Sequence, residues 1–228
     1  MGLRSASAAD ITGTVTYKGT PPAEKEIDKS AGEGCTTHGA KGTTHHYFVG
    51  ANGEFGNVTI YLEGQAGKNL STGASAPPVV LDQKDCEYTP VILAVQTGQK
   101  LKVKNSDPTT HNVHVQPAEG SGNKGANPIQ PANSPDLSLS FDKPEMFVKV
   151  ACDVHNWMFA WVSVFDHPYF AVSAKDGTFK ISNVPAGKYT IVAEHRKAGK
   201  ATQQIEVKDG GPNKVEFVMP AEAAKSKT

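Results

Sequence analysis

Charge imbalance is the first thing this chain lacks. Lys and Arg together number 23 and Asp and Glu number 23, a formal net charge of zero over 228 residues. Such a surface offers neither nucleic acid nor an anionic membrane a long-range field. Arginine is scarcer still, with Arg4 and Arg196 alone, so forked contacts to phosphate or guanine are nearly out of reach. Long apolar runs are missing too. Uncharged stretches such as VILAV (91–95) and MFAWVSVF (158–165) fall well short of the ~20 residues of a membrane span. No long window carries the spacing of an amphipathic helix. A nucleophile elbow, a phosphate loop and a zinc-protease helix are all absent, and the acidic residues form no acid–base constellation. An enzyme has little here to work with.

What the chain has is punctuation and alternation. Gly (22) and Pro (15) make up about 16 % of it, against a norm near 12 %. Between them lie period-two segments: ITGTVTY (11–17), NVTIYL (57–62), KLKVK (100–104), LSLSF (137–141), MFVKV (146–150), MFAWVSV (158–164), TFKIS (178–182), YTIVAEH (189–195), QQIEV (203–207) and KVEFVM (214–219). These read as strands closed by turns, so the expected fold class is all-β. Residues 116–135 (QPAEGSGNKGANPIQPANSP) form a Gly/Pro/Asn-rich stretch, long for a compact domain unless it is functional or loosely ordered. Residues 1–9 and 221–228 read as flexible tails. The opening MGLRSASAAD lacks a signal-peptide apolar core, while Ser5–Ala9 resembles the end of one. The expectation is an exported protein, periplasmic or extracellular, with its signal removed.

One segment carries chemistry. CDVHNWM (152–158) sets a thiolate, an imidazole and a thioether at Cys152, His155 and Met158, in a tight loop between two expected strands. That mixture of soft and borderline donors selects copper, and two imidazoles with a thiolate and a distant Met make a blue-copper set. Zinc would more usually recruit further Cys, His or carboxylate in place of Met. The second imidazole comes from NSDPTTHNVHV (105–115). Along a strand His111 shares a face with Val113 and Val115, and Asn112 shares the other with His114. The apolar face turns inward, which puts His111 on the metal and His114 outside.

With Cys152 taken as a ligand, Cys35 and Cys86 remain as the natural disulfide, closing a loop of roughly fifty residues; three unrelated buried thiols are the alternative. His45 and His46 are adjacent and point to opposite faces, so they read as surface or structural residues. His38, near Cys35, reads as part of the disulfide loop. His167 and His195 read as packing or turn residues. Trp157, Phe159 and Trp161 share one face, which alternation explains as core.

The His111-Asn112-Val113-His114 string and the short Cys-x2-His-x2-Met loop resemble the cupredoxins, particularly the amicyanin/plastocyanin group. The resemblance implies His111, Cys152 and His155 as equatorial ligands of one mononuclear type 1 copper, and Met158 as the weak axial one. It implies that Asn112 ties the two ligand loops together, and that His155 lies near the surface as the electron port. AKDGTFKISNVPAGKYTIVAEH (174–195) resembles the carboxypeptidase regulatory-like, transthyretin-like (prealbumin-like) sandwich family, whose opening pieces match GTVTYKGTPP (13–22) and NVTIYL (57–62). The resemblances together imply a cupredoxin Greek-key sandwich over 78–166, set inside a second β-sandwich built from 10–77 and 167–220; a plain tandem is the runner-up. They imply an electron carrier, not an enzyme, exchanging single electrons with a redox protein such as a cytochrome or a copper/quinone oxidoreductase. Copper storage or delivery, and a cell-surface binding module with ancillary copper, are the alternatives.

Overall fold

The computed structural model describes residues 8–220 apart from 31, 33, 36–38, 66, 67 and 69; the reading of His38 and the tails at 1–7 and 221–228 lie outside them. Ala8 and Ala9, assigned above to the first tail, open a strand. The fold is all-β, with one 3-10 turn at Gly73–Ser75 as the only helical element among the described residues. None of the helical structure is long and apolar enough to cross a membrane.

The chain divides into two compact units, one made of 1–22, 47–65 and 169–228, the other of 23–46 and 66–168. In this division 23–46 and 66–77, which the sequence reading placed with 10–22 and 167–220, group with the unit that carries the 152–158 motif. The Cys35–Cys86 disulfide gives the first reason, since it ties the 23–46 segment into that unit.

The outer unit has a three-stranded sheet, Thr178–Pro185, Ala8–Lys18 and Asn213–Pro220, and a four-stranded one, Phe170–Val172, Thr59–Leu62, Gly187–His195 and Gly199–Val207. Alternation drives its assembly: Ile11 and Val15, Ile60 and Leu62, Phe179 and Ile181, and Val215, Phe217 and Met219 all point into one core.

The other unit pairs two four-stranded sheets over a separate core. One runs Leu137–Leu139, Leu101–Asn105, Val79–Lys84, Glu87–Thr89; the other runs His114–Gln116, Glu145–Ala151, Phe159–Phe165, Ile92–Gln96. Leu81, Leu101, Val103, Val115, Val148, Val150, Ala160, Val162 and Val164 fill the space between. The inward face of Phe159–Phe165 is therefore the Ala160/Val162/Val164 set. Phe159 and Trp161 lie half-buried on the opposite face, which corrects their reading as core.

The 116–135 stretch is ordered by backbone pairing. Its Ile129–Gln130 segment bonds His111–Asn112, and Ala126 bridges Val115. Gln130 is buried, donates to the carbonyls of Val103 (3.0 Å) and Pro135 (3.3 Å), and accepts from Gln83 Nε2 at 2.7 Å.

Candidate metal centre

The loop 152–158 turns between the strands Glu145–Ala151 and Phe159–Phe165, which pair in register from Ala151↔Phe159. Two backbone bonds close it, Cys152 N–H to the Met158 carbonyl (3.2 Å) and Met158 N–H to the His155 carbonyl (2.9 Å). Cys152, His155 and Met158 are all buried by this turn. His111 arrives from the other side. Its strand stays bonded to 126–130, with Val113 N–H on the Pro128 carbonyl at 2.9 Å, and from His114 on also pairs with Lys149–Ala151; His111, Asn112 and Val113 are buried in succession.

The structure brings three of the expected donors together. One ligand atom each from His111, Cys152 and His155 lies within 4.8 Å of the other two. The Nδ1 atoms of the two imidazoles are 3.0 Å apart. Cys152 Sγ stands 3.9 Å from the first and 3.7 Å from the second. Met158 is buried in the same core. His114 points away, half-buried, with Nδ1 2.9 Å from Asp153 Oδ1.

Asn112 links the His111 strand to the 152–158 loop. Its Oδ1 accepts the N–H groups of Asp153 (2.7 Å) and Val154 (3.3 Å) and lies 3.3 Å from Cys152 Sγ. Its Nδ2 donates to the Asp153 carboxylate at 3.0 Å, and its own carbonyl accepts the Tyr88 hydroxyl at 2.7 Å.

Asp107 is the group that sequence reasoning missed. Its Oδ2 takes the Nε2–H of His111 at 2.9 Å and the N–H of Cys86 at 2.9 Å, while Oδ1 takes the N–H of Asp85 at 2.7 Å. Asp85 and Cys86 form the two-residue turn between Val79–Lys84 and Glu87–Thr89, both at positive φ (59° and 51°). Such a turn normally calls for Asn or Gly. Here the carboxylate holds two side-chain-bearing residues in the left-handed region and orients the His111 imidazole at once. The Asp-x3-His spacing was its only trace in the sequence.

Electrostatics follow from these contacts. Burial opposes the charge on Asp107, but the bonds from His111, Cys86 and Asp85 outweigh it and hold the carboxyl below its usual range. Burial also opposes the Cys152 thiolate; the His111 bond and the N–H groups of Asn112, His155 and Val154 prevail, and its pKa falls. His155 is pushed down by burial and by the charge of His111, so it stays neutral. For His111, burial is overcome by Asp107 and Cys152, and its pKa rises. With Nε2–H committed to Asp107, Nδ1 is the atom left to face Nδ1 of His155. Two such nitrogens at 3.0 Å need a proton or a cation between them. A thiolate and two imidazoles around that position fit a soft metal ion.

One expectation is corrected. His155 is only 3 % exposed, where the resemblance implied a surface port. The backbone at Gly32 lies on the Cδ2 edge of its ring: a Cβ added there would stand 3.1 Å from Cδ2 and 2.6 Å from Cys35 Sγ. Trp157 packs beside the ring at 5.3 Å and donates Nε1–H to the Cys86 carbonyl at 3.0 Å. The open side lies elsewhere. A depression of about 410 Å³ is lined by Thr110, His111, Asn112, Asn127, Ile129, Asp153 and Val154, and Ile129 and Val154 are exposed.

The remaining histidines hold no metal group among the described residues. His46 stacks on Phe159 at 5.0 Å, His45 lies 3.5 Å from Glu87, and His195 Nδ1 accepts the N–H of Ala198 at 3.0 Å in a turn.

No protein-family model matches the chain, and no curated protein matches it. Solved structures with a similar fold include an oxidised amicyanin variant (20 % identity, TM-score 0.34, 46 % of this chain and 97 % of that one). A purple cupredoxin from Nitrosopumilus maritimus is 19 % identical over 39 % of this chain and 99 % of its own, with a TM-score of 0.31. A copper-containing nitrite reductase from Thermus scotoductus SA-01 is 18 % identical (TM-score 0.35); 39 % of this chain matches 22 % of that one.

Proposed function

We propose that this chain is a cupredoxin-like, type 1 copper electron carrier acting outside the cytoplasm, its copper unit set inside a regulatory-like sandwich. The observation that carries the reading is the buried convergence of His111 Nδ1, His155 Nδ1 and Cys152 Sγ, with Met158 closing the same loop. These four residues would hold one copper ion, which cycles between Cu(I) and Cu(II) and so carries a single electron. The protein's own part is to keep the donors in place. Asp107 fixes the His111 tautomer, Asn112 clasps the loop, and the core behind Met158 keeps water out. Four protein donors leave no open coordination position, which supports a carrier over a catalyst. Burial of the donors supports retained copper over copper delivery. The Cys35–Cys86 disulfide supports an oxidising compartment.

The partner is a redox protein with an uncharged, apolar contact face, such as a cytochrome or a copper or quinone oxidoreductase. The open depression supports this: Asp153 is the one carboxylate in its lining, it is paired with His114, and Ile129 and Val154 expose apolar surface there. Adding Cu(II) to the metal-free chain and recording the visible spectrum tests the proposal. An intense thiolate-to-copper band at about 600 nm is expected. A colourless protein, or a band that survives Cys152→Ser, would overturn it.

A further inference from the structure

Two more sulfurs stand beside the ligand group. The Sγ atoms of Cys35 and Cys86 and a ring nitrogen of His155 lie within 4.8 Å of one another, and all three residues are buried. Cys86 Sγ, an Asp107 oxygen and a His111 nitrogen meet the same limit. The described structure thus gathers every cysteine of the chain around one pair of histidines, with two of the three locked as a disulfide.

We propose that reducing Cys35–Cys86 opens a second soft-metal site, in which the Cys35 and Cys86 thiolates bind Cu(I) with His155 in reach. Both anchors are held by backbone bonds. Cys86 is fixed by its N–H on Asp107 and its carbonyl under Trp157. Cys35 sits in a turn, its N–H on the Gly32 carbonyl at 3.1 Å. Two thiolates in a buried pocket suit Cu(I), the softest common biological cation they could meet. His155 turns Nδ1 to His111 and its Cδ2 edge to the backbone at Gly32, and one of its ring nitrogens lies within 4.8 Å of both sulfurs, so the new site adjoins the old one.

The opening step balances with a dithiol reductant. Its thiolate attacks one sulfur, the Cys35–Cys86 bond breaks, and the reductant closes into its own disulfide. Two electrons and two protons pass to the cysteines, and both protons leave to solvent as Cu(I) binds.

The test compares the full chain untreated with the chain reduced by dithiothreitol and desalted without oxygen. Both receive Cu(I) from its bicinchoninate complex, and bound copper is counted per chain. The expected count rises from one to two on reduction. Cys152→Ser should gain one Cu(I) on reduction as well, which reads the second site even if the type 1 assignment fails. Equal counts before and after reduction in both proteins overturn the proposal, as does a gain in the C35S/C86S variant. A wild-type measurement avoids reliance on that variant's folding. Iodoacetamide should modify Cys35 and Cys86 at least tenfold more slowly in the reduced, Cu(I)-loaded chain than in the reduced, metal-free chain. Equal rates overturn the site.

Discussion

Asp107 places one buried carboxylate under three donors that come from two segments, the Asp85-Cys86 turn and the His111 strand. Asp107→Asn would turn an NH2 toward at least one of those donors. Under the proposed copper site, copper affinity should weaken about 10- to 100-fold, the usual range for an outer partner of a metal-bound histidine, as read by competition with a chelator. Unchanged affinity would show that Asp107 serves the turn alone. Strand alternation set His111 inward and His114 outward, and the structure buries the first and leaves the second half-buried beside Asp153. Alternation could not reveal Asp107, because that role exists only once a distant turn supplies the other two donors. His167 gives a second test at this scale. Burial above all, aided by Lys68 and opposed by Asp166, pushes its pKa down to about 4, whereas the unfolded value is about 6.5. Above pH ~6.5 both states are neutral and this contribution is fully present. Below it the unfolded chain takes the proton first, so stability falls by up to roughly 3 kcal/mol as pH drops toward 4. Urea midpoints at pH 7 and pH 4.5 should converge more closely in His167→Gln than in the parent. An equal drop in both would remove His167 as the cause.

Among the elements, the strands were the most legible part, since apolar and polar residues alternate along nearly all of them. Leu101, Lys102 and Val103 alternate buried and exposed as their types require. The loop 152–158 was legible as a tight turn, since period-two segments flank it on both sides. The 116–135 stretch was not. It contributes backbone bonds and one buried amide, and neither leaves an apolar period to detect. The Trp161 face was misread for a related reason: two faces of that strand carry apolar residues, and only packing shows that Ala160, Val162 and Val164 are the inner ones. Gln130 gives the element-scale prediction. Gln130→Leu leaves Gln83 Nε2 with one partner, the Lys104 carbonyl, and removes the buried amide's donation to the Val103 carbonyl. The expected cost is about 1–3 kcal/mol in denaturant unfolding, and a change within error would mean that water replaces the amide.

Across the whole molecule, the partition of the chain is what sequence reasoning located least well. It crosses between the two units after residues 22, 46, 65 and 168, and residues 23–46 carry few of the signals that would assign them. Their one local sheet is the short Glu26–Asp28/Lys41–Thr43 ribbon. What binds them to the rest of their unit is a cross-link and a buried cation. Cys35 bonds Cys86, 51 residues away, and Lys29 donates to the Asp85 carbonyl at 2.9 Å and pairs with Glu87. Both anchors land on the turn that Asp107 organises, so one small region secures the segment covering His155. In the chain-entropy account a closed loop of that length contributes roughly 4 kcal/mol by restricting the unfolded chain. The C35S/C86S variant should therefore unfold at a clearly lower guanidinium concentration than the oxidised parent, while dithiothreitol lowers the parent's midpoint and leaves the variant's unchanged. If the variant matches the oxidised parent, the Lys29 contacts and the ribbon suffice to hold the segment. The disulfide would then contribute little to folding, and its place beside His111 and His155 would need a different physical reason.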